Sequence, residues 1–307
     1  MTFKVYFPRD KFKFSSELTI LAGNLLKLPK DESHNYNKCG ESRYRNLISW
    51  CKKNIEYVDN PKDAQISVLP YKFNGMNDPT LLELIRTSNK IWCFYNDDND
   101  KSFSLISKIK LFRTSLKKSR MKKNEFILVP PVTDHFEGYI LKRSEPIPTI
   151  GFVGQTGYGR KKYLDVLLKS NLKTNFILRN GFWAPGVDKE KAVEEFFQNM
   201  KENIFIFCYR GGGNFSYRFY ETLMMARIPI LVTTDMSLPF EDKINYGEHM
   251  VLIPEEKLES PVNIVSWILH FYSRNKDKLD DIQLSNRKLW EDYFSPEGYL
   301  SQIIKET

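Results

Sequence analysis

The sequence predicts an α/β protein built as two halves, each a parallel sheet with helices. Three observations lead there. Short apolar runs alternate with helical spacing along the whole chain, the pattern of βαβ units. Some of these runs are apolar at nearly every position, such as "NIFIFCY" (203–209), which fits strands covered on both faces. Finally, 307 residues exceed what one hydrophobic core usually organises, roughly 250–300 residues, and "KRSEPIPTIGFVG" (142–154) places two prolines before a fresh apolar run.

In the first half, "AQISVLPY" (64–71), "KIWCFYN" (90–96) and "EFILVPP" (125–131) read as buried strands ended by turn residues. "LLELIRTS" (81–88) and "FSLISKIKLF" (103–112) have helical spacing. After a link at 142–148 come the strand "PTIGFVG", the helix "KKYLDVLLKS", the strand "TNFILRN", the helix "KAVEEFFQNMK" and the strand "NIFIFCY". The helix "SYRFYETLMMA", the strands "IPILVTT" and "HMVLIP", and the helix "NIVSWILHFYSR" follow. Amphipathic helix closes the chain. The expected division is 1–145 for the first domain, 146–280 for the second, and 281–307 for terminal helices packing back toward the first. Two α/β halves with loops at strand C-termini make the cleft between them the expected site.

Composition narrows the chemistry. Lys plus Arg number 46 and Asp plus Glu 38, a net charge of +8 with a pI near 9.1. Such a balance suits anionic ligands: nucleotides, nucleic acids, phospholipid headgroups or acidic glycans. Cys39, Cys51, Cys93 and Cys208 form no C-x-x-C pair, and the four histidines are scattered. Reduced, buried thiols in a cytoplasmic protein are expected, with no metal site. The N-terminal "MTFKVYFPRDKFKF" lacks the pattern of a signal peptide, and no apolar run reaches the roughly 20 residues of a membrane span.

Two glycine-rich turns each join a strand to a helix. "GFVGQTGYGRKKYL" (151–164) contains Gly154-x-x-x-x-Gly159, half of a P-loop, but Arg160 and Lys161 stand where Lys and then Ser or Thr are required. A P-loop enzyme is thereby disfavoured. Glycine, a helix N-terminus and Arg160 still suit an anion; a plain strand–helix turn is the other reading. The second turn, "CYRGGGNFSYRFYETLMMARIPILV" (208–232), breaks its strand with Gly211, Gly212 and Gly213 after Arg210. Asn214 or Ser216 can cap the helix that follows. No acidic residue stands at the usual spacing of a dinucleotide fingerprint, so a Rossmann dehydrogenase is disfavoured. Arg218 and Glu221 lie three apart on one helix face. They read either as a surface ion pair or as a set in which Arg218 neutralises a diphosphate and Glu221 accepts the two hydroxyls of a ribose.

The stretch "RGGGNFSYRFYETLMMARIPILVTTDMSLPFED" (210–242) resembles the C-terminal signature of the exostosin-like glycosyltransferases, the inverting family 47. That signature runs from an Arg through a glycine turn, Ser-x-Arg-Phe-x-Glu and Ile-Pro to Leu-Pro-Phe. "DAQISVLPY" (63–71), "FRTSLKKSRMKKNEFILVPP" (112–131) and "GFVGQTGYGR" (151–160) are similar to further family segments, closely over 148–270 and loosely before that. Two features depart from the family: Arg227 replaces a usual Gly, and no membrane anchor is present, which suggests a soluble bacterial or viral type of member.

The resemblance implies a GT-B fold, two Rossmann-like domains with an interdomain cleft, and an inverting transfer of sugar from a nucleotide donor, UDP-linked, to a glycan hydroxyl without metal or cofactor. Arg160, Arg210, Gly211, Gly212, Gly213, Ser216 and Arg218 are then the diphosphate ligands and Glu221 the ribose ligand. "ILRNGFW" (177–183) either contacts the base or is a plain strand end. Asp98 in "FYNDDND" and Asp134 in "VPPVTDHFEGY" are candidate bases for the acceptor hydroxyl. The run from Lys108 to Lys123 holds eight Lys or Arg and no acid. It reads as a solvated face, or as a peripheral surface for a lipid-linked or anionic acceptor. Nucleic acid is not an expected partner, since no binding module accompanies the charge. A nucleotide-sugar-binding protein without turnover is the alternative function.

Overall fold

The computed structural model describes residues 2–8, 11, 46–47, 49–142, 146–181 and 184–306. Two compact units emerge. One draws on residues 1–133, 237–239 and 293–307, the other on 134–236 and 240–292. The sequence expectation places its boundaries at 145 and 280.

The first unit carries β1 (Phe3–Tyr6), β2 (Ile55–Tyr57), β3 (Ile66–Lys72), β4 (Ile91–Tyr95), β5 (Ile109–Arg113) and β6 (Glu125–Ile127). These pair in parallel in the order β2-β1-β3-β4-β5-β6. Helix α1 (Pro79–Thr87) starts where Asp78 caps the Leu81 amide and Pro79 fills the first turn. Its Leu81 and Leu84 close on Leu69, Phe73 and Ile91. The helix expected at 103–112 is absent. Ile109–Arg113 is strand, because the buried Ile109, Leu111 and Phe112 pair along β4, and sheet pairing overrides local spacing. Phe103 instead wedges edge-on against Phe73 and Tyr95, at 5.0 Å from each.

Part of the basic run makes contacts within this unit. Arg113, 1% exposed, is paired at 2.7 Å with the equally buried Glu125. Lys117 and Arg120 both reach Asp100. Lys108 donates to the carbonyls of Ile85 and Ser88 at the end of α1, Lys122 to that of Phe103, and Lys110 to that of Glu306. Lys118, Arg120, Lys122 and Lys123 remain exposed.

The second unit carries β7 (Thr149–Gln155), α2 (Lys161–Lys169), β8 (Lys173–Arg179), α3 (Lys189–Glu202), β9 (Phe205–Cys208) and α4 (Tyr217–Met224). After them come β10 (Ile228–Thr233), α5 (Tyr246–His249), β11 (Val251–Pro254), α6 (Ile264–Asn275) and α7 (Leu279–Leu289). The helix α8 (Pro296–Lys305) belongs to the first unit. All five strands of the second sheet are parallel, in the order β11-β10-β9-β7-β8. All four residues of β9 are buried, as their apolar run requires.

At the end of α4, Ala226 turns the chain at φ 54° and Arg227 follows, fully buried. Its guanidinium donates to the carbonyls of Met200 and Lys201 at the end of α3, and of Met225 and Ala226 at the end of α4. It also reaches the Tyr139 carbonyl and Gln283 Oε1. Helix C-termini leave carbonyls without partners, and one arginine serves two of them here. Burial depresses its pKa to about 10. Among the described residues no helix is long and apolar enough to cross a membrane.

Candidate functional site

In an open parallel sheet, ligands bind outside the strand C-termini where the strand order reverses. In the second unit the chain leaves β7 for β8 on one side and returns to β9 on the other. The reversal therefore lies between β7 and β9. The loops leaving these two strands are 156–160 and 209–216, the two glycine turns. A position on a sheet, which neither turn reveals alone, brings them together.

Arg160 joins the two loops. It is 9% exposed. Its Nε and Nη2 donate to the Arg210 carbonyl at 3.2 and 2.8 Å, and Nη1 donates to that of Gln155 at 3.1 Å. Burial, and then the charge of Arg218, lower its pKa to about 10. Arg218, from the first turn of α4, points inward and donates to the Val153 carbonyl. Its guanidinium lies 4.3 Å from the Phe152 ring centroid and 5.6 Å from that of Phe196. Its Nε is buried with no partner. Burial lowers the pKa of Arg218 against the charge of Glu221, which is half-buried on the same helix. Neither Arg160 nor Arg218 is ion-paired to a carboxylate among the described residues.

Arg210 wraps its own turn, donating to the carbonyls of Gly211 and Gly212. The Gly211 amide closes the turn on the Phe215 carbonyl at 3.1 Å. Ser216 occupies the N-cap of α4, 6% exposed, but its hydroxyl makes no capping bond; Asn214 Oδ1 accepts from Thr234 Oγ1 instead. The Ser216 hydroxyl thus does not cap α4, although it stands at the position from which a side chain usually does.

The glycines that the backbone cannot replace are in the other loop. Gly154 and Gly159 have φ of +148° and +90°, whereas Gly211 does not lie in that region. A Cβ on Gly154 would stand 2.8 Å from Arg218 Nη2. Gly154→Ala is therefore expected to destabilise the protein by about 1–3 kcal/mol, read by urea unfolding, through strain and displacement of Arg218. In the sequence these glycines form half of a P-loop and are not among the expected ligands.

Other expected residues have different surroundings. Asp134 gives both carboxylate oxygens to Arg287, at 2.8 and 2.7 Å. Burial works to raise its pKa, but the bonds from Arg287 and the Phe136 amide overcome it, and the net shift is downward. A carboxylate so paired is a poor base, and its role is to tie residues 134–136 to α7. In the acidic loop after β4, Asp97 pairs with Lys72, and Asp100 with Lys117 and Arg120. Asp98 stays exposed and outside these pairs. In "ILRNGFW", Arg179 ends β8 level with Gln155 and pairs with Glu195. Phe182 and Trp183 lie outside the described residues, so the expected base contact has no structural description there.

Comparison with known proteins follows this geometry. The family model described as the Exostosin GT47 domain matches residues 84–268, more than half of the chain. A stretch of 61 residues is 34% identical to a probable glucuronosyltransferase of Oryza sativa subsp. japonica, and covers 20% of this chain and 14% of that protein. This chain thus spans a small part of that relative's length. Among solved structures, similarity is found to a mutant of S. aureus TarM in complex with fondaparinux, alpha-GlcNAc-glycerol and UDP. The identity is 12% and the TM-score 0.33, over 82% of this chain and 51% of that one. A second TarM structure matches at 12% identity and a TM-score of 0.35, over 86% and 53%. The matched family domain takes in both glycine turns and the arginines between them, and the chain belongs to the exostosin GT47 family of glycosyltransferases.

Proposed function

We propose that the chain, a GT-B-class enzyme, moves a sugar from a UDP-linked donor to a hydroxyl of a glycan acceptor, with inversion and without a metal ion. The observation that carries this reading is the Arg160–Arg218 pair: a buried and a half-buried guanidinium at the switch point of a parallel sheet, with no carboxylate paired to either. A diphosphate supplies the missing negative charge. The orphaned Arg218 Nε adds a hydrogen-bond donor of the right sign.

In the reaction the acceptor oxygen attacks the anomeric carbon from the face opposite the diphosphate. The new carbon–oxygen bond forms as the bond to the diphosphate breaks, and the nucleotide leaves with the electron pair. Arg160 and Arg218 stabilise that departing charge where water would otherwise do so less well. Glu221 holds the ribose hydroxyls, and Asp98, the unpaired carboxylate of its loop, takes the acceptor proton. A cytoplasmic setting goes with Cys51, Cys93 and Cys208, all buried free thiols.

UDP is expected to raise the melting temperature, and Glu221→Ala to abolish the shift. Hydrolysis of a nucleotide sugar should persist in excess EDTA. If no nucleoside diphosphate stabilises the protein, the reading fails. Binding without hydrolysis or transfer to any acceptor would leave a nucleotide-sugar-binding protein.

A further inference from the structure

Glu255 follows β11, and a single oxygen of its carboxylate gathers three donors. Oε1 accepts from the Tyr163 hydroxyl at 2.8 Å, the Tyr209 hydroxyl at 2.9 Å and Lys162 Nζ at 2.8 Å. Lys162 and Tyr163 come from the first turn of α2, and Tyr209 follows the last residue of β9. One half-buried carboxylate thus ties three elements at the C-terminal edge of the sheet. Burial pushes its pKa up, but the bonds from Lys162, Tyr163 and Tyr209 bring it below the ordinary value, so the accepting form is the one present near neutral pH.

Tyr209 links this cluster to both glycine turns. Its hydroxyl lies 3.3 Å from where a Cβ on Gly159 would be, so its ring supports the backbone of the first turn. Its neighbour Arg210 opens the second turn and offers the carbonyl that Arg160 takes with two nitrogens. The orientation of the phenol therefore sets how far apart the two turns stand. That spacing decides whether amides on one and Arg160 on the other reach the same anion, because hydrogen bonds weaken steeply with misalignment.

We propose that Glu255 is a positioning residue of the donor site: it orients Tyr209 so that the two glycine turns keep the spacing a nucleoside diphosphate requires. This rests on the reading of that site as a nucleoside-diphosphate site. Glu255 acts through Tyr209 and makes no contact with the ligand.

The test is titration calorimetry with UDP on the full chain, comparing wild type, Glu255→Ala, Glu255→Gln and Tyr209→Phe at a temperature where circular dichroism shows each folded. Loss of the shared acceptor should raise the Kd for UDP about tenfold in Glu255→Ala, the equivalent of one or two hydrogen bonds. Glu255→Gln keeps a carbonyl oxygen for the phenols and should recover most of the affinity. Tyr209→Phe removes one hydroxyl and should weaken UDP about threefold or more. A purely architectural role would lower thermal stability and leave the Kd of the folded variants at the wild-type value, which would overturn the proposal. If Glu255→Ala does not fold, Tyr209→Phe decides by the same criterion. Wild type that binds no UDP would remove the site reading itself, and the proposal with it.

Discussion

Arg227→Met is expected to destabilise the protein by about 3–5 kcal/mol, the range for stripping partners from a buried polar centre. Methionine fills much of the volume, so a cavity is not the main cause. The cause is the set of carbonyls at Met200, Lys201, Met225 and Ala226 that the guanidinium serves, none of which water can replace at a fully buried position. Arg227→Lys should recover little, because a point charge cannot reproduce the planar fork that spans two helix ends. Arg227→Gly should be at least as damaging. Guanidinium unfolding followed by circular dichroism measures the loss, and a change below about 1 kcal/mol would show that the carbonyls find other partners.

The second large effect concerns turnover. Arg218→Gln is expected to lower kcat/KM for sugar transfer by about 10²–10³, the usual consequence of losing a preorganised donor to developing charge. The guanidinium is held by the Val153 carbonyl and by Phe152 and Phe196 before any ligand arrives, so it needs no reorganisation during the reaction. Arg218→Lys keeps the charge but loses the fork, and should retain a minor part of the rate. Steady-state kinetics with saturating acceptor separates the contributions, since a loss confined to KM would mean that Arg218 grips donor and transition state alike. An unchanged kcat/KM would remove Arg218 from the site.

Much of this was legible in the sequence, and the failures have physical causes. Strands such as β4 and β9 are apolar throughout because both faces are covered, and that pattern is hard to mistake. The strand β5 was read as helix because its apolar spacing fits both periods, and only pairing with β4 selects one. The three consecutive glycines drew attention through their rarity, yet the left-handed backbone is at Gly154 and Gly159, which local composition does not single out. The spacing of Arg218 and Glu221 puts them on one helix, but the inward turn of the arginine depends on Phe152, from the distant strand β7. Asp134 could not be separated from Asp98 without knowing that Arg287, on a distant helix, claims its oxygens. The hub at Glu255 left no trace, because its partners are scattered over nearly a hundred residues of chain.

The assignment of residues 237–239 and 293–307 to the first unit bears on how such a protein is inherited. The chain changes unit four times, so neither unit is one contiguous stretch that a single crossover can exchange. A recombinant that takes a foreign second unit at residue 134 must also restore the native short visit at 237–239 and the native tail. The last junction falls inside the π-helical turn Trp290–Phe294, where register is least forgiving. Diversification of donor and acceptor choice in this architecture is thus expected to proceed by point changes in loops, and grafted halves should fold only when the tail has the same origin as residues 1–133.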